Sequence, residues 1–190
     1  MVETEVESNL SDQPSVTVVG SLGAVWGITG FALLLGYCIL RLGPIALDAF
    51  SQPLRWYHWL ALLLNVGLMA YLEGYRGFQK GFSPRVAARA RYLVYHPNIL
   101  HVLLAPLFCL GYFYTSRRRK LAVISLTLGI IMLILLVGLL DQPWRGIVDA
   151  GVVVGLTWGL VSLLIFSVLA LTRADFGYSP EVPGEELNES

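Results

Sequence analysis

Residues 121–140 read LAVISLTLGIIMLILLVGLL, twenty positions without one charge. As a helix rising about 1.5 Å per residue, such a run measures about 30 Å, the thickness of a bilayer's hydrocarbon core. Arg117-Arg118-Arg119-Lys120 stands directly before it, and Asp141-Gln142-Pro143-Trp144-Arg145-Gly146 makes a tight turn directly after it. The rest of the chain has the same character. It is 56% hydrophobic and 14% charged, with a mean hydropathy of +0.67, whereas soluble domains carry about 25% charge. Five apolar segments follow from this pattern, at 16–40, 54–72, 98–114, 121–140 and 147–171. The predicted fold class is an all-α integral membrane protein, a multi-pass bundle of about five hydrophobic helices. Plasma or inner membrane and organellar membrane are not distinguished by composition.

Outward from 121–140, the fifth segment carries Gly151, Gly155 and Gly159 at intervals of four, so all three share one helix face. Segment one has Gly20, Gly23, Gly27 and Gly30 in a 3-4-3 pattern that includes Gly23-x-x-x-Gly27. Small residues at this spacing let helices approach closely in lipid. Both faces are therefore expected to pack helices, within the chain or between copies and other subunits. Segment two opens on Trp56, Tyr57 and Trp59, an interfacial aromatic belt, and carries Asn65 near its middle, expected to bond across to another helix. Segment three is the weakest, about 17 residues with His101 and an internal Pro106. It either spans or forms a re-entrant hairpin, which leaves four firm spans.

Between segments two and three lies Glu73-Gly74-Tyr75-Arg76-Gly77-Phe78-Gln79-Lys80-Gly81-Phe82-Ser83-Pro84, and five of the thirteen basic residues fall between Arg76 and Arg91. The glycines predict a hinge whose amides converge. Ser83-Pro84 predicts the start of a short helix to Tyr95, since serine caps free amides and proline suits a first turn. Too short to span, that helix is expected to lie in the interface with Arg85 and Arg89 towards headgroups, completing a basic unit at 73–95. A glycine turn with a helix N-terminus behind it suits an anion, so the expected anion or lipid-binding residues are Arg76, Gly77, Lys80, Gly81, Ser83, Arg85 and Arg89. Glu73 is expected to pair with Arg76, and Asp149 to favour the first turn of segment five.

Charge is distributed unevenly at zero net. Nine of thirteen acids sit in the terminal stretches 1–15 and 173–190, both expected to be disordered tails flanking the helical domain 16–172, and nine of thirteen bases lie between Arg76 and Lys120. The first residues carry Glu where a secretory leader would carry Lys or Arg, so the first apolar segment is expected to stay as an anchor. With five spans the basic residues divide six against seven; with segment three re-entrant they divide ten against three, both tails on the basic side. Hydrophobicity favours five spans and charge favours four.

Catalytic patterns are absent: there is no Gly-x-Ser-x-Gly, His-Glu-x-x-His or phosphate-binding loop. His58 stands far from His96 and His101, whose spacing of five is interrupted by Pro97, so no metal or cofactor is expected. Cys38 and Cys109 sit inside apolar segments as packing residues. The expected function is a structural or assembly component, or a lipid-headgroup-binding one, with anionic lipid as partner and no nucleic acid. Two alternatives are a membrane enzyme acting on a phosphorylated lipid at 74–85, and a small transporter subunit.

Overall fold

The computed structural model describes residues 17–96, 98–111, 117–173 and 176–178, and among them the chain is all-helical, without a strand. The predicted tails fall outside the described residues, except that Arg173 and residues 176–178 are described. There the Tyr178 ring meets Phe166 at 5.8 Å, so the start of the C-terminal stretch folds back on the last helix.

Helix α1 covers Val18–Asp48 and ends in a 3-10 turn, Ala49–Ser51. It runs past Leu40, where segment one was expected to stop. Pro44 removes one amide donor but does not end the helix, and Gln142 holds the extension by donating from Nε2 to Ile45 O at 3.1 Å. Helix α2, Trp56–Met69, continues without interruption as a π-helical segment, Ala70–Phe82, and then as α3, Ser83–Tyr95. The glycine-rich stretch is thus the middle of one long helix, not a hinge. Glycine costs a helix about 1 kcal/mol per residue, and here packing offsets it. Gly74 lies under the Trp158 ring, Phe78 fills the space over Gly159, and the Phe82 ring meets Phe31 at 5.0 Å.

Segment three is two short helices, α4 (Ile99–Leu103) and α5 (Ala105–Cys109), followed by Gly111 at φ 85°. Helix α6, Arg117–Gly138, carries the charge-free run, and α7, Trp144–Thr172, carries segment five. Two helical stretches, Val18–Ser51 and Trp144–Thr172, are long and apolar enough to cross a membrane, and Thr127–Gly138 is a shorter apolar stretch.

The long helix 56–95 runs antiparallel to α1, since Phe82 meets Phe31 and the end of α3 reaches Gly20. It runs parallel to α7, with Asn65 at Gly151, Glu73 at Gly155 and Phe78 at Gly159. One end of the bundle gathers both ends of the folded chain: Thr17 N donates to Val94 O at 3.3 Å and Arg91 Nη1 to Arg173 O at 2.9 Å. Segment three lies on the glycine face of α1, with Val102 at Gly23, Ala105 and Cys109 at Gly27, and Pro106 at Gly30. The descent from Gly23 to Gly30 is only about 10 Å at a helix's rise.

The core forms where α1, α3, α5 and α7 meet, around Ala24, Ile28, Phe31, Val86, Ala90, Leu93, Phe108 and Leu163. Helix α3 is therefore central, against the expectation of an interfacial helix. Its small residues Ala87, Ala88 and Ala90 let it sit close to its neighbours, and they are buried. Arg89 is buried with them at 4% exposure, donating from Nη1 to Phe108 O at 2.9 Å with its guanidinium 5.5 Å from the Phe108 ring. A cation at the end of α5 complements that helix's exposed carbonyls. By contrast α6 packs little, and Leu128, Met132, Ile134 and Leu135 on it are all more than 60% exposed.

Candidate functional site

Within Ala70–Phe82 the turn is wider than that of an α-helix, so residues four or five apart share a face. Asn65, Met69, Glu73 and Phe78 form the face turned to α7, with steps of four, four and five. Arg76, Lys80 and Arg85 form an outward face, and all three are exposed. Lys80 Nζ sits 4.8 Å from the Tyr75 ring centroid, and Arg85 Nε donates to Gly81 O at 2.6 Å. No carboxylate pairs with any of the three among the described residues.

Of the seven residues expected to hold an anion, Arg76, Lys80 and Arg85 are brought together, with Gly77 and Gly81 between them. Ser83 is fully buried with its Oγ unpartnered, and Arg89 points into the core. The amides of Gly77 and Gly81 lie within the helix instead of converging on a turn, and Ser83 continues the helix instead of capping a new one. The backbone nest is not formed; what remains is a stripe of three side-chain cations. The two glycine faces are occupied within the chain. An alanine Cβ at Gly20 would collide with the carbonyls of Leu93 and Val94, and at Gly27 it would lie 2.8 Å from Cys109 Sγ. At Gly151 it would collide with the Asn65 amide, and at Gly159 it would lie 2.6 Å from the Phe78 ring. Gly155 faces the Glu73 carboxylate. Residues on α7 thus make room for large side chains, whereas Gly20 admits backbone.

Other polar side chains line the seam between helix 56–95 and α7. Asn65 Nδ2 donates to Ile147 O at 2.8 Å and Val148 O at 3.3 Å, and Trp158 Nε1 donates to Gln79 Oε1 at 2.8 Å. Asp149 is buried, with Arg145 Nε 3.9 Å away. Glu73 does not pair with Arg76: Glu73 lies against Gly155, whereas Arg76 is exposed. The histidines serve rings and caps. His58 Nδ1 accepts from Arg55 N at 3.1 Å, His96 stacks on Tyr92, and His101 stacks on Phe108. Sequence reasoning missed the Gln79–Trp158 bond and the Glu73–Gly155 contact. The step from 73 to 78 is what aligns them, and it departs from the α-helical period.

Among the described residues the fold is all-helical, with two helices long and apolar enough to cross a membrane and a cationic stripe on the helix between them. The chain matches no family model, no curated protein and no solved structure.

Proposed function

We propose that this is a multi-pass membrane protein that binds an anionic amphiphile, a phospholipid-like molecule, along the outer face of helix 56–95. The observation that carries the reading is the order of side chains on that one rod. Leu60, Leu64, Leu68 and Tyr71 are exposed and apolar, and Arg76, Lys80 and Arg85 follow them, exposed and without carboxylate partners among the described residues. From Leu60 to Tyr71 is about 17 Å of helix, room for much of an acyl chain, and the cations stand where the headgroup of such a molecule would fall. Cations beside apolar helices are costly unless water or an anion meets them, and juxtamembrane Lys and Arg gain about 1 kcal/mol each from anionic lipid. The headgroup contact is made by side chains alone, since the helix uses its own amides.

The triple variant Arg76→Gln, Lys80→Gln, Arg85→Gln tests this. Parent protein reconstituted in mixed vesicles should retain anionic over zwitterionic lipid, and the variant should lose that preference. The difference should narrow as salt shortens the screening length from about 10 Å at 0.1 M. Equal retention of anionic lipid by variant and parent at low salt would reduce the stripe to a solvated helix face.

A further inference from the structure

The contacts that hold helix 56–95 to its neighbours also fix the height of its three cations in the bundle. Glu73 lies at Gly155 and Phe78 at Gly159, so Arg76 stands level with the middle of α7, Trp144–Thr172. Phe82, between Lys80 and Arg85, meets Phe31 of α1 at 5.0 Å. At a helix's rise Phe31 is about 20 Å from Val18 and about 26 Å from Asp48, the two ends of α1. The stripe therefore sits at the waist of the bundle and not at either rim. Apolar surface continues past it in both directions. Val18, Val19 and Leu22 are exposed beside the end of α3, where Gly20 meets Leu93 and Val94. Leu47 and Phe50 are exposed towards the other end, where the Phe50 ring meets Trp59 at 5.8 Å.

With α1 and α7 crossing a bilayer whose hydrocarbon core is about 30 Å thick, the rims meet headgroups and the waist lies in hydrocarbon. Charge at that depth is expensive and marks the path of a polar substrate. A lipid with its tail along Leu60–Tyr71 points that tail at the Trp56 end, so it comes from the leaflet at the Tyr95 end. From Tyr95 to Arg85 is about 15 Å of helix, so a headgroup on the stripe has already sunk that far from its own surface. Charge in hydrocarbon is what makes the passage of a lipid between leaflets slow, and cations that meet the headgroup at mid-depth lower that barrier. Only contacts made at the top of a barrier speed its crossing.

On the reading of this face as an anionic-lipid site, we propose that the chain also carries anionic phospholipid from one leaflet to the other, the headgroup passing over Arg76, Lys80 and Arg85 at mid-depth. No bond is made or broken, and the lipid equilibrates in either direction down its own gradient.

The full chain is reconstituted in phosphatidylcholine vesicles with a trace of acyl-labelled fluorescent phosphatidylglycerol, and in a parallel set with the same label on phosphatidylcholine. Dithionite added outside bleaches only the outer leaflet unless the leaflets exchange. Parent vesicles should bleach completely, phosphatidylglycerol faster than phosphatidylcholine. Arg76→Gln should slow phosphatidylglycerol exchange about fivefold at low salt, and Arg76→Gln, Lys80→Gln, Arg85→Gln together about a hundredfold. Arg41→Gln, which removes an exposed cation of α1 outside the stripe, should leave the rate unchanged. Equal rates for parent and triple variant, or for the two labelled lipids, overturn the proposal, as does an equal slowing by Arg41→Gln and Arg76→Gln. A parent that retains anionic lipid without exchanging it overturns the transport and leaves the lipid site standing; loss of both removes the site as well.

Discussion

Replacing Gly155 by alanine puts a methyl group into the slot that Glu73 occupies. An ideal Cβ there lies 2.6 Å from Oε2, 3.0 Å from Cδ and 3.2 Å from Cβ of Glu73. The carboxylate oxygen can swing aside, but Glu73 Cβ is fixed to the backbone, so the helices must separate by a few tenths of an ångström or the side chain must leave its rotamer. Overpacking of this kind costs about 1–3 kcal/mol. In a chain of this size that corresponds to a fall of about 2–12 °C in the thermal midpoint, at about 2–4 °C per kcal/mol. Gly129→Ala is the control, since nothing lies within 4 Å of that position, and the better helix former should leave stability unchanged or raise it. Combining Gly155→Ala with Glu73→Ala removes Oε2 and Cδ, so the pair should recover about 1 kcal/mol relative to the sum of the single changes. Circular dichroism melts in a fixed detergent give all four numbers. If Gly155→Ala and Gly129→Ala melt together, the contact between Glu73 and Gly155 does not exist and the register of the long helix on α7 is wrong.

Gly20→Ala should destabilise more than Gly155→Ala in the same melts, because the carbonyls of Leu93 and Val94 cannot move as a side chain can. Asn65→Leu gives up the bond to Ile147 O and crowds Gly151, with an expected loss of about 1 kcal/mol, in the range of measured bonds between membrane helices. Arg89→Met removes the donor to Phe108 O and should loosen α5 without unfolding the bundle. The readout is alkylation of Cys109, now only 2% exposed, in a background with Cys38→Ser; its rate should rise, and an unchanged rate would mean that Arg89 does not hold α5 down.

The apolar runs were legible because lipid-length hydrophobicity is a property of composition. Segment five was read as 147–171 and is α7, Trp144–Thr172, since its glycines recur at intervals of four that suit a helix and no proline interrupts it. The stretch 73–84 was not legible for the opposite reason. Local propensity makes Gly74, Gly77 and Gly81 a turn, and only Trp158, Gly159 and Phe31, distant in sequence, supply the packing that keeps it helical. A wider helical turn has no 3.6-residue signature, so Glu73 looked like a partner for Arg76. Arg85 and Arg89 illustrate the same limit. One turn apart on a basic helix, they read alike, yet the first is exposed and the second buried, because α1's glycine face decides which side of α3 turns inward. The stripe of Arg76, Lys80 and Arg85 was legible as residues, but its geometry as a helix face was not.

The most direct measurement is a cross-link between the long helix and α7, in a chain with Cys38→Ser, Cys109→Ala, Glu73→Cys and Gly155→Cys. The two Cβ atoms would stand 3.2 Å apart, close to the roughly 3.5–4.5 Å of a disulfide, so mild oxidation in membranes should join them within one chain, with the linked peptides visible by mass spectrometry after proteolysis. Absence of the link, together with labelling of position 73 by a membrane-impermeant maleimide, is what a surface hinge would give, and it would contradict a helix that runs through the bundle from Trp56 to Tyr95.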